Sequence, residues 1–318
     1  MSASRIVLTG STGGLGSSVL KHIQSLIDPS RLIISLYNPS KAPNVPEGVE
    51  VRKGDYSDAS SLEDAFKGAQ ILLLVSYPSI AHELRVKNHI NAIDAAKRAG
   101  ITHIFYTSLA FAGPPTSSES VAAVMRAHID TEAYLKDSGL NFTIIREGIY
   151  SESYPLYLGF FDPTSSSTEV TIPDDGDGGI AWASRDELGE ATAKLIVQAA
   201  DDTSFQYRNK TVLLTGPEAV PLNAVASILS RLLDRNITVK HVEVDEYATS
   251  SKALSKLGPE FAKLWATTYI ALKQGECAVV DPLLGLVLGR RPKEMHAVLE
   301  QLILDTRSAQ GSIDQYAK

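Results

Sequence analysis

The chain has 318 residues, 44% of them hydrophobic, which is enough apolar material for one large domain or two unequal ones. Its 30 basic and 37 acidic residues give a net charge of −7, so neither nucleic acid nor an anionic membrane surface is an expected partner. A single cysteine, Cys277, excludes an internal disulfide, and no apolar run approaches the roughly 20 residues of a membrane span. We therefore expect a cytoplasmic protein, without a metal site because the seven histidines show no ligand spacing.

The first half of the chain alternates short apolar runs with longer segments of helical periodicity. Strands are predicted at 6–9, 32–36, 49–51, 71–75, 103–107 and 142–145, and helices at 15–26, 60–66, 83–99 and 120–137. The run at 71–75 is apolar throughout, as expected of a strand covered on both faces. This alternation predicts an α/β fold with a doubly wound parallel sheet.

The pattern loosens after about residue 150. A turn-forming segment lies at 173–179, and the S-x-x-E pattern of Ser184 and Glu187 is typical of a capping box that opens a helix reaching about residue 200. A strand is predicted at 211–214, and helices at 222–233, 244–257, 259–273 and 293–304. We predict a nucleotide-binding domain at 1–150 and a smaller, mainly helical substrate region at 151–318, some segments of which can return to the sheet.

Glycines recur at three-residue intervals between the first predicted strand and the first predicted helix, at Gly10, Gly13 and Gly16. Glycine is required where φ is positive or where the backbone approaches a phosphate closely, and a helix N-terminus attracts a pyrophosphate. The context predicts a dinucleotide cradle, and the alternative is a tight turn that binds nothing. The predicted cofactor contacts of this segment are Gly10, Thr12, Gly13, Gly14, Leu15 and Gly16.

Dinucleotide folds often place an acid after the second strand for the ribose hydroxyls of NAD, or an arginine for the 2′-phosphate of NADP. Here the segment reads SLYNPSK and contains neither. Asn38 and Lys41 are the predicted cofactor contacts, and an ordinary exposed lysine is the alternative for Lys41.

Polar residues also follow the third, fourth and fifth predicted strands, where parallel sheets face their ligands. Asp55 can accept a hydrogen bond from an adenine amine, although a turn or helix-capping role is equally compatible with the sequence GDYSD. The cofactor contacts predicted at these ends are Asp55, Tyr56, Ser76, Tyr77, Thr107 and Ser108.

Several segments together resemble the NmrA-like branch of the atypical short-chain dehydrogenases. They are TGSTGGLG, NPSKA, GDYSD, AAKRAGI, YTSL, AHIDTEAYLKDSGLNFTIIREGIYSESY and GDGGIAWASRDELGEA. The likeness is strongest to the group of NADPH-dependent quinone oxidoreductases and triphenylmethane reductases, and it covers about residues 5–200. It implies a Rossmann domain, a small C-terminal substrate domain and an NADP(H) cofactor.

The chain departs from the resembled family at the cofactor's phosphate. Members that prefer NADPH usually carry arginine where this chain has Tyr37, so Lys41 is left to bind the 2′-phosphate. The resemblance still favours NADP(H) over NAD(H), and NADH is the alternative.

A second departure concerns catalysis. The Tyr-x-x-x-Lys motif of short-chain dehydrogenases falls on Val124–His128, which lacks the tyrosine and ends in histidine. His128 is predicted to act as a ribose ligand or proton donor, and the alternative is a packed histidine paired with Glu132. The resemblance also places the turn after the sixth strand near the nicotinamide, which predicts a cofactor contact at Gly148 and a catalytic role for Tyr150, with plain packing as the alternative.

The sequence therefore predicts an NAD(P)H-dependent oxidoreductase that reduces a small planar quinone-like molecule or conjugated carbonyl, as a monomer or homodimer. One alternative is a redox sensor that binds the dinucleotide without turnover and engages a regulatory protein partner. Another is a biosynthetic isomerase, dehydratase or cyclase on the same fold. The missing Tyr-x-x-x-Lys motif favours the sensor, whereas the tyrosines at 150–157 favour the enzyme.

Overall fold

A computed structural model describes residues 4–173 and 178–309. The chain divides into two compact units, each built from three separate segments. The sheet unit comprises Met1–Leu109, Ala127–Glu147 and Asp186–Leu213. The second unit comprises Ala110–Arg126, Gly148–Arg185 and Leu214–Lys318.

A seven-stranded sheet forms the centre of the sheet unit. Its strands are β1 (Ile6–Thr9), β2 (Leu32–Leu36), β3 (Glu50–Lys53), β4 (Ile71–Leu74), β5 (His103–Leu109), β6 (Asn141–Glu147) and β8 (Lys210–Leu214). The strand order is β3-β2-β1-β4-β5-β6-β8, and the pairings from β3 across to β6 are all parallel. Because β1 pairs with β2 on one side and β4 on the other, the order reverses at β1, where open sheets bind their ligands.

Helices flank the sheet and connect its strands. They are α1 (Gly14–Ile23), α2 (Ala59–Phe66), α3 (His82–Ala99), α4 (Ala123–Asp137) and α6 (Arg185–Asp201). The Asp58 side chain accepts hydrogen bonds from the first amides of α2, and α3 ends at Gly100 in the left-handed conformation, so local sequence fixes both boundaries. One core cluster packs α2 and α3 against the sheet through Phe66, Ile93 and their apolar neighbours.

The second unit is mainly helical. It contains α5 (Tyr154–Tyr157), α7 (Leu222–Leu233), α8 (Val244–Thr249), α9 (Ser251–Leu257), α10 (Pro259–Lys273), α11 (Leu283–Leu288) and α12 (Met295–Ala309). A small parallel sheet joins β7 (Glu169–Pro173) to β9 (Thr238–Val242). Aromatic rings fill the core of the second unit, where the Tyr157 ring packs against both Trp182 and Trp265.

The doubly wound sheet and the helical C-terminal region confirm the predicted Rossmann-type class. The single helix predicted at 244–257 is wrong, because Ser250 has extended backbone angles and its side chain caps a new helix. The pair β7 and β9 had no predicted counterpart. Segment 186–213 clusters with the sheet unit, and the domain boundary near 150 stays a prediction. The turn predicted at 173–179 falls mostly on 174–177, outside the described residues.

Candidate dinucleotide site and its polar surroundings

The turn between β1 and α1 is shaped by two glycines. Gly10 has a φ of +65°, and a Cβ there would lie 2.9 Å from the Val75 Cβ. A Cβ on Gly16 would lie 2.2 Å from the Gly10 carbonyl oxygen, so α1 can approach the turn only without a side chain at this position. The glycine pattern therefore lets the backbone of the turn pack directly onto the start of the helix.

Gly13 differs from Gly10 and Gly16 because none of the described residues crowds it. A Cβ there would meet no atom closer than the Gly10 carbonyl oxygen at 3.8 Å, and the φ of −107° suits any residue. Gly13 caps α1 without a side-chain hydrogen bond, and the first turn of the helix carries no acid. The amide groups at this helix start are therefore available to an anion, as a pyrophosphate requires.

The floor of the turn is tied to β4 by side-chain hydrogen bonds. The Thr9 hydroxyl accepts from the Val75 amide at 2.9 Å. The Tyr56 hydroxyl, with its single hydrogen, lies within hydrogen-bond distance of both the Thr9 hydroxyl at 2.8 Å and the Val75 carbonyl at 2.5 Å. Burial raises the pKa of Tyr56 above its ordinary value. Because its hydroxyl is engaged here, the cofactor contact predicted for Tyr56 would use its ring or backbone. The Tyr77 ring lies 5.4 Å from the Tyr56 ring.

The segment after β2 is exposed and positively charged. Tyr37 is 74% exposed, and Lys41 is exposed at the end of a short 3-10 helix. The Asn38 side chain accepts from the amide and hydroxyl of Ser40, so its oxygen shapes this turn. Lys53, which ends β3 in register with Leu36, adds a second exposed cation that sequence reasoning missed.

Asp55 shapes its own turn, because one carboxylate oxygen accepts from the amide and the hydroxyl of Ser57. The turn role left open by the sequence is therefore occupied, and the adenine contact stays a prediction. Thr107 accepts from the Ser76 amide at 3.0 Å, which joins the ends of β4 and β5.

A polar cluster surrounds the end of β4. The Arg85 guanidinium donates to the Ser76 hydroxyl oxygen from Nε at 3.1 Å and from Nη2 at 2.7 Å. His89, one turn further along α3, accepts from the Tyr77 amide through Nε2 at 2.8 Å. Its Nδ1 lies 2.8 Å from the Thr131 hydroxyl on α4. Burial lowers the pKa of His89 to about 3, with the Arg85 charge adding to the effect.

His128 completes this group, which we call the Arg85 cluster: Ser76, Arg85, His89, Tyr106, His128 and Thr131. The His128 imidazole is 3% exposed, and it lies 3.0 Å from Arg85 through Nε2 and 2.9 Å from the Tyr106 hydroxyl through Nδ1. Burial, followed by the Arg85 charge, lowers the pKa of His128 well below its ordinary value. The predicted alternative, a pairing of His128 with Glu132, is not among these contacts.

Glu132 instead faces Arg146 of β6. The two side chains form two hydrogen bonds of 3.0 and 2.8 Å, and Arg146 is fully buried. Ser108 donates to the same carboxylate at 2.6 Å. The Ser108 hydroxyl, predicted to contact the cofactor, is thus directed towards a buried ion pair.

Glu147 ends β6 and is also buried, but its carboxyl group contacts a hydroxyl, whereas that of Glu132 contacts a guanidinium. Thr192 of α6 donates to one carboxylate oxygen at 2.9 Å, and the other oxygen has no hydrogen-bond partner among the described residues. Burial raises the pKa of Glu147 to about 8. This carboxyl group is therefore largely protonated at neutral pH.

The predicted residues Gly148 and Tyr150 lie in the second unit. The Gly148 amide donates to the Leu214 carbonyl at 2.7 Å, and a Cβ on Gly148 would lie 2.8 Å from that oxygen, so packing alone requires glycine here. The half-buried Tyr150 ring lies 4.9 Å from the Arg185 guanidinium carbon, in a cation–π contact. Tyr154 and Tyr157 are buried, so Tyr150 is the more accessible of the three.

Sequence reasoning missed Arg85 and Glu147 as functional candidates. Arg85 and His89 are four residues apart on a predicted helix, so their shared face could have been recognised. Nothing in the sequence indicates that Glu147 is buried without a cation, because this depends on how α6 packs on the sheet.

No helix within 4–173 and 178–309 is long and apolar enough to cross a membrane. Within the same residues, no group of three or more His, Cys, Asp or Glu side chains could hold a metal ion.

Residues 10–174 match a family model described as NAD(P)H-binding. The chain is 33% identical over 308 residues to the NmrA-like family domain-containing oxidoreductase flvB of Aspergillus flavus, with 95% of this chain and 96% of the relative covered. It is 32% identical over 250 residues to quinone oxidoreductase 2 of Escherichia coli, covering 78% and 82% of the two chains.

Two solved structures of reductases are also similar to this chain. The E. coli NADPH-dependent quinone oxidoreductase QOR2 complexed with NADPH superposes with a TM-score of 0.78 at 28% identity, covering 93% of this chain and 99% of the other. The Citrobacter sp. triphenylmethane reductase complexed with NADP(H) gives the same TM-score, identity and coverage.

Proposed function

Because the chain belongs to the NAD(P)H-binding, NmrA-like family of oxidoreductases, we propose that it uses NADPH to reduce a small planar quinone or conjugated carbonyl. The observation that carries the proposal is the open turn at Gly13, where the start of α1 leaves space and amide groups for a pyrophosphate. The substrate class is taken from the relatives, whose names include a quinone oxidoreductase and a triphenylmethane reductase.

The residues of the turn fit a dinucleotide. The buried Ser11 hydroxyl oxygen has no hydrogen-bond partner among the described residues, and Thr12 and Gly13 are exposed. The amides of Gly14, Leu15 and Gly16 begin α1, where backbone N–H groups lack partners within the helix. We assign the pyrophosphate to these groups, and Ser76, Tyr77 and Thr107 to the nicotinamide half.

The preference for NADPH over NADH rests on charge. An acid that binds the ribose hydroxyls of NAD would repel the 2′-phosphate, and the segment after β2 contains none. Lys41 and Lys53 are exposed near the ends of β2 and β3, where their charges can attract this phosphate. The two lysines thus replace the arginine that the resembled family carries at position 37.

Bound NADPH supplies the hydride, and the protein supplies orientation and a hydrogen-bond donor for the substrate. Negative charge develops on the substrate oxygen when the hydride is transferred, and a nearby hydroxyl stabilises that charge or delivers a proton to it. We assign this role to Tyr150, because it is half-buried and its ring is held by Arg185. The burial of His128 and its contact with Arg85 favour a positioning role over proton donation.

The test is turnover with a panel of benzoquinones, naphthoquinones and triphenylmethane dyes, following oxidation of NADPH and, separately, NADH. We expect oxidation of NADPH that depends on the acceptor, with a higher kcat/KM than for NADH. Tight NADPH binding without oxidation by any acceptor would contradict the proposed substrate class and favour the sensor or non-redox alternatives.

Tyr150→Phe tests the assigned hydroxyl. We expect kcat to fall about a hundredfold while the Kd for NADPH stays unchanged, because general acid groups typically contribute at least this much. Tyr134→Phe is the matched control, since the Tyr134 hydroxyl bonds to Asp94 between α3 and α4. Full activity of Tyr150→Phe would show that the Tyr150 hydroxyl takes no part in the reaction and that the residue only packs.

A further inference from the structure

The Arg85 cluster contains two buried histidines and one arginine. The numbers of donors and acceptors on these side chains determine which group donates in each of the histidine contacts. Arginine carries only donors at every accessible pH. The contact between Arg85 Nη2 and His128 Nε2, 3.0 Å long, therefore requires Nε2 to accept. A neutral imidazole that accepts at one nitrogen carries its proton on the other, so His128 donates from Nδ1 to the Tyr106 oxygen at 2.9 Å.

The same argument from donors and acceptors determines the tautomer of His89. The Tyr77 amide donates to His89 Nε2, so His89 carries its proton on Nδ1 and donates it to Thr131. Thr131 passes its own hydrogen to the Ala127 carbonyl at 2.7 Å. The Tyr77 amide and the Ala127 carbonyl therefore set the His89 tautomer, and the longer contact of 3.5 Å between His89 Nδ1 and the Tyr106 hydroxyl oxygen has His89 as the donor.

Ser76 is the member of the cluster at the end of β4. Its oxygen accepts two hydrogen bonds from Arg85, so its hydroxyl hydrogen remains to be donated. The acceptors near it among the described residues are the Tyr106 hydroxyl oxygen and His89 Nε2 at 3.2 Å, and His89 Nε2 already accepts from the Tyr77 amide at 2.8 Å. Arg85 thus directs the Ser76 hydroxyl as a donor at the edge of the sheet that binds ligands.

We propose that Arg85 is a positioning residue, which holds His128 in the Nδ1–H tautomer and Ser76 as a hydrogen-bond donor, so that His128 is not the proton donor of the reaction. The groups that face His128 are Arg85 and His89 of α3, Tyr106 of β5 and Arg146 of β6. Two of them are cations and none is a carboxylate, so a protonated imidazolium would be repelled. Glu132, on the same helix as His128, is engaged by Arg146.

The tautomer claim stands on the geometry alone, whereas its consequence for turnover rests on the proposed function. If Arg85 directs Ser76 and His128, its loss should lower kcat/KM about tenfold through misplacement of the bound cofactor. The pH profile of the native enzyme should show no inflection from His128 between pH 6 and pH 8.

The decisive measurement is the ¹⁵N spectrum of the histidine side chains in the whole protein between pH 6 and pH 8. The His128 signals are assigned by their loss in His128→Gln. We expect a bare Nε2 and a protonated Nδ1 throughout this range. A His128 that titrates in the range, or that carries its proton on Nε2, would overturn the proposal without any variant of Arg85.

Two substitutions sharpen the test. Glutamine offers an acceptor as well as a donor, so Arg85→Gln should allow the Nε2–H tautomer of His128 to appear, whereas Arg85→Lys, with donors only, should keep the native tautomer. Arg98→Gln makes the same charge change on the exposed end of α3 and should leave the spectrum unchanged. Spectra of Arg85→Gln and the native protein that are identical at His128 would contradict the proposal. Failure to reduce any acceptor would contradict only the proposed function, since the spectra need no substrate.

Discussion

The glycine turn after β1 and the buried polar groups after β5 and β6 belong to the same edge of the sheet but are built in opposite ways. The turn is made of backbone: its packing requires that side chains be absent at Gly10 and Gly16, and the absence of a side chain at Gly13 leaves open space. The polar groups near the ends of β5 and β6 are side chains, such as Arg146 of β6 and its partner Glu132 of α4, and they are buried with their partners. Adding a side chain should therefore disrupt the glycine turn, whereas removing a side chain should disrupt the buried polar groups.

Removing a partner from the buried pair should have the largest effect on stability. Glu132→Gln leaves Arg146 in its buried position without the carboxylate that it faces. We expect the free energy of unfolding to fall by about 3–5 kcal/mol, as measured by urea denaturation. Glu63→Gln removes the exposed partner of Arg98 and should cost less than about 1 kcal/mol. Equal losses in the two variants would contradict the contrast between buried and exposed pairs.

Glu147 should give an effect on stability that depends on pH. Its pKa is raised from 4.5 to about 8 in the folded protein, so the folded state holds a proton that the unfolded state releases. The stabilising contribution is complete below pH 4.5, is lost as the pH rises towards 8, and is constant above it.

Glu147→Gln keeps a neutral side chain of similar shape at every pH. Relative to this variant, the native protein should lose on the order of 4 kcal/mol between pH 5 and pH 8.5, since the pKa is raised from 4.5 to about 8 and one pKa unit corresponds to about 1.4 kcal/mol. Thermal unfolding of both proteins across this range provides the measurement. Parallel stability curves would show that Glu147 is ionised in the folded protein, against this account.

The lysines near the ends of β2 and β3 should give the smallest effect, confined to one cofactor. Lys41→Ala and Lys53→Ala should each weaken NADPH binding about fivefold, or ~1 kcal/mol, and leave NADH binding unchanged. Lys67→Ala, which removes an exposed lysine paired with Asp64, is the control. Equal losses for NADPH and NADH would show that these lysines do not bind the 2′-phosphate.

The sequence was sufficient to predict the sheet because its strands are short apolar runs, separated by helical periodicity and ended by signals such as Gly100. The pair β7 and β9 escaped prediction because both strands mix exposed and buried positions without a long apolar run. The periodicity of 244–257 predicts one helix through Ser250, whereas the Ser250 side chain caps the start of α9.

The candidate site also has features that the sequence predicts and features that it does not. The turn could be predicted because glycines at fixed spacing are a local signal. The partners of Ser108 and His128 could not be predicted, because the fold brings them together from distant parts of the sequence: Glu132 contacts Ser108, and Arg85 contacts His128. The sequence predicts cofactor and catalytic roles for these residues, which stay predictions, but it does not indicate these partners.

The most direct test of the account is the Kd for NADPH of the native protein and of Gly13→Val. The backbone of Gly13 accepts any residue, and among the described residues a Cβ there meets no atom closer than the Gly10 carbonyl oxygen at 3.8 Å. Without cofactor, the variant should therefore have the same unfolding temperature as the native protein. Its side chain would fill the space assigned to the pyrophosphate, and we expect the Kd to rise at least about a hundredfold. An unchanged Kd in a folded Gly13→Val variant would contradict the assignment of the dinucleotide to this turn.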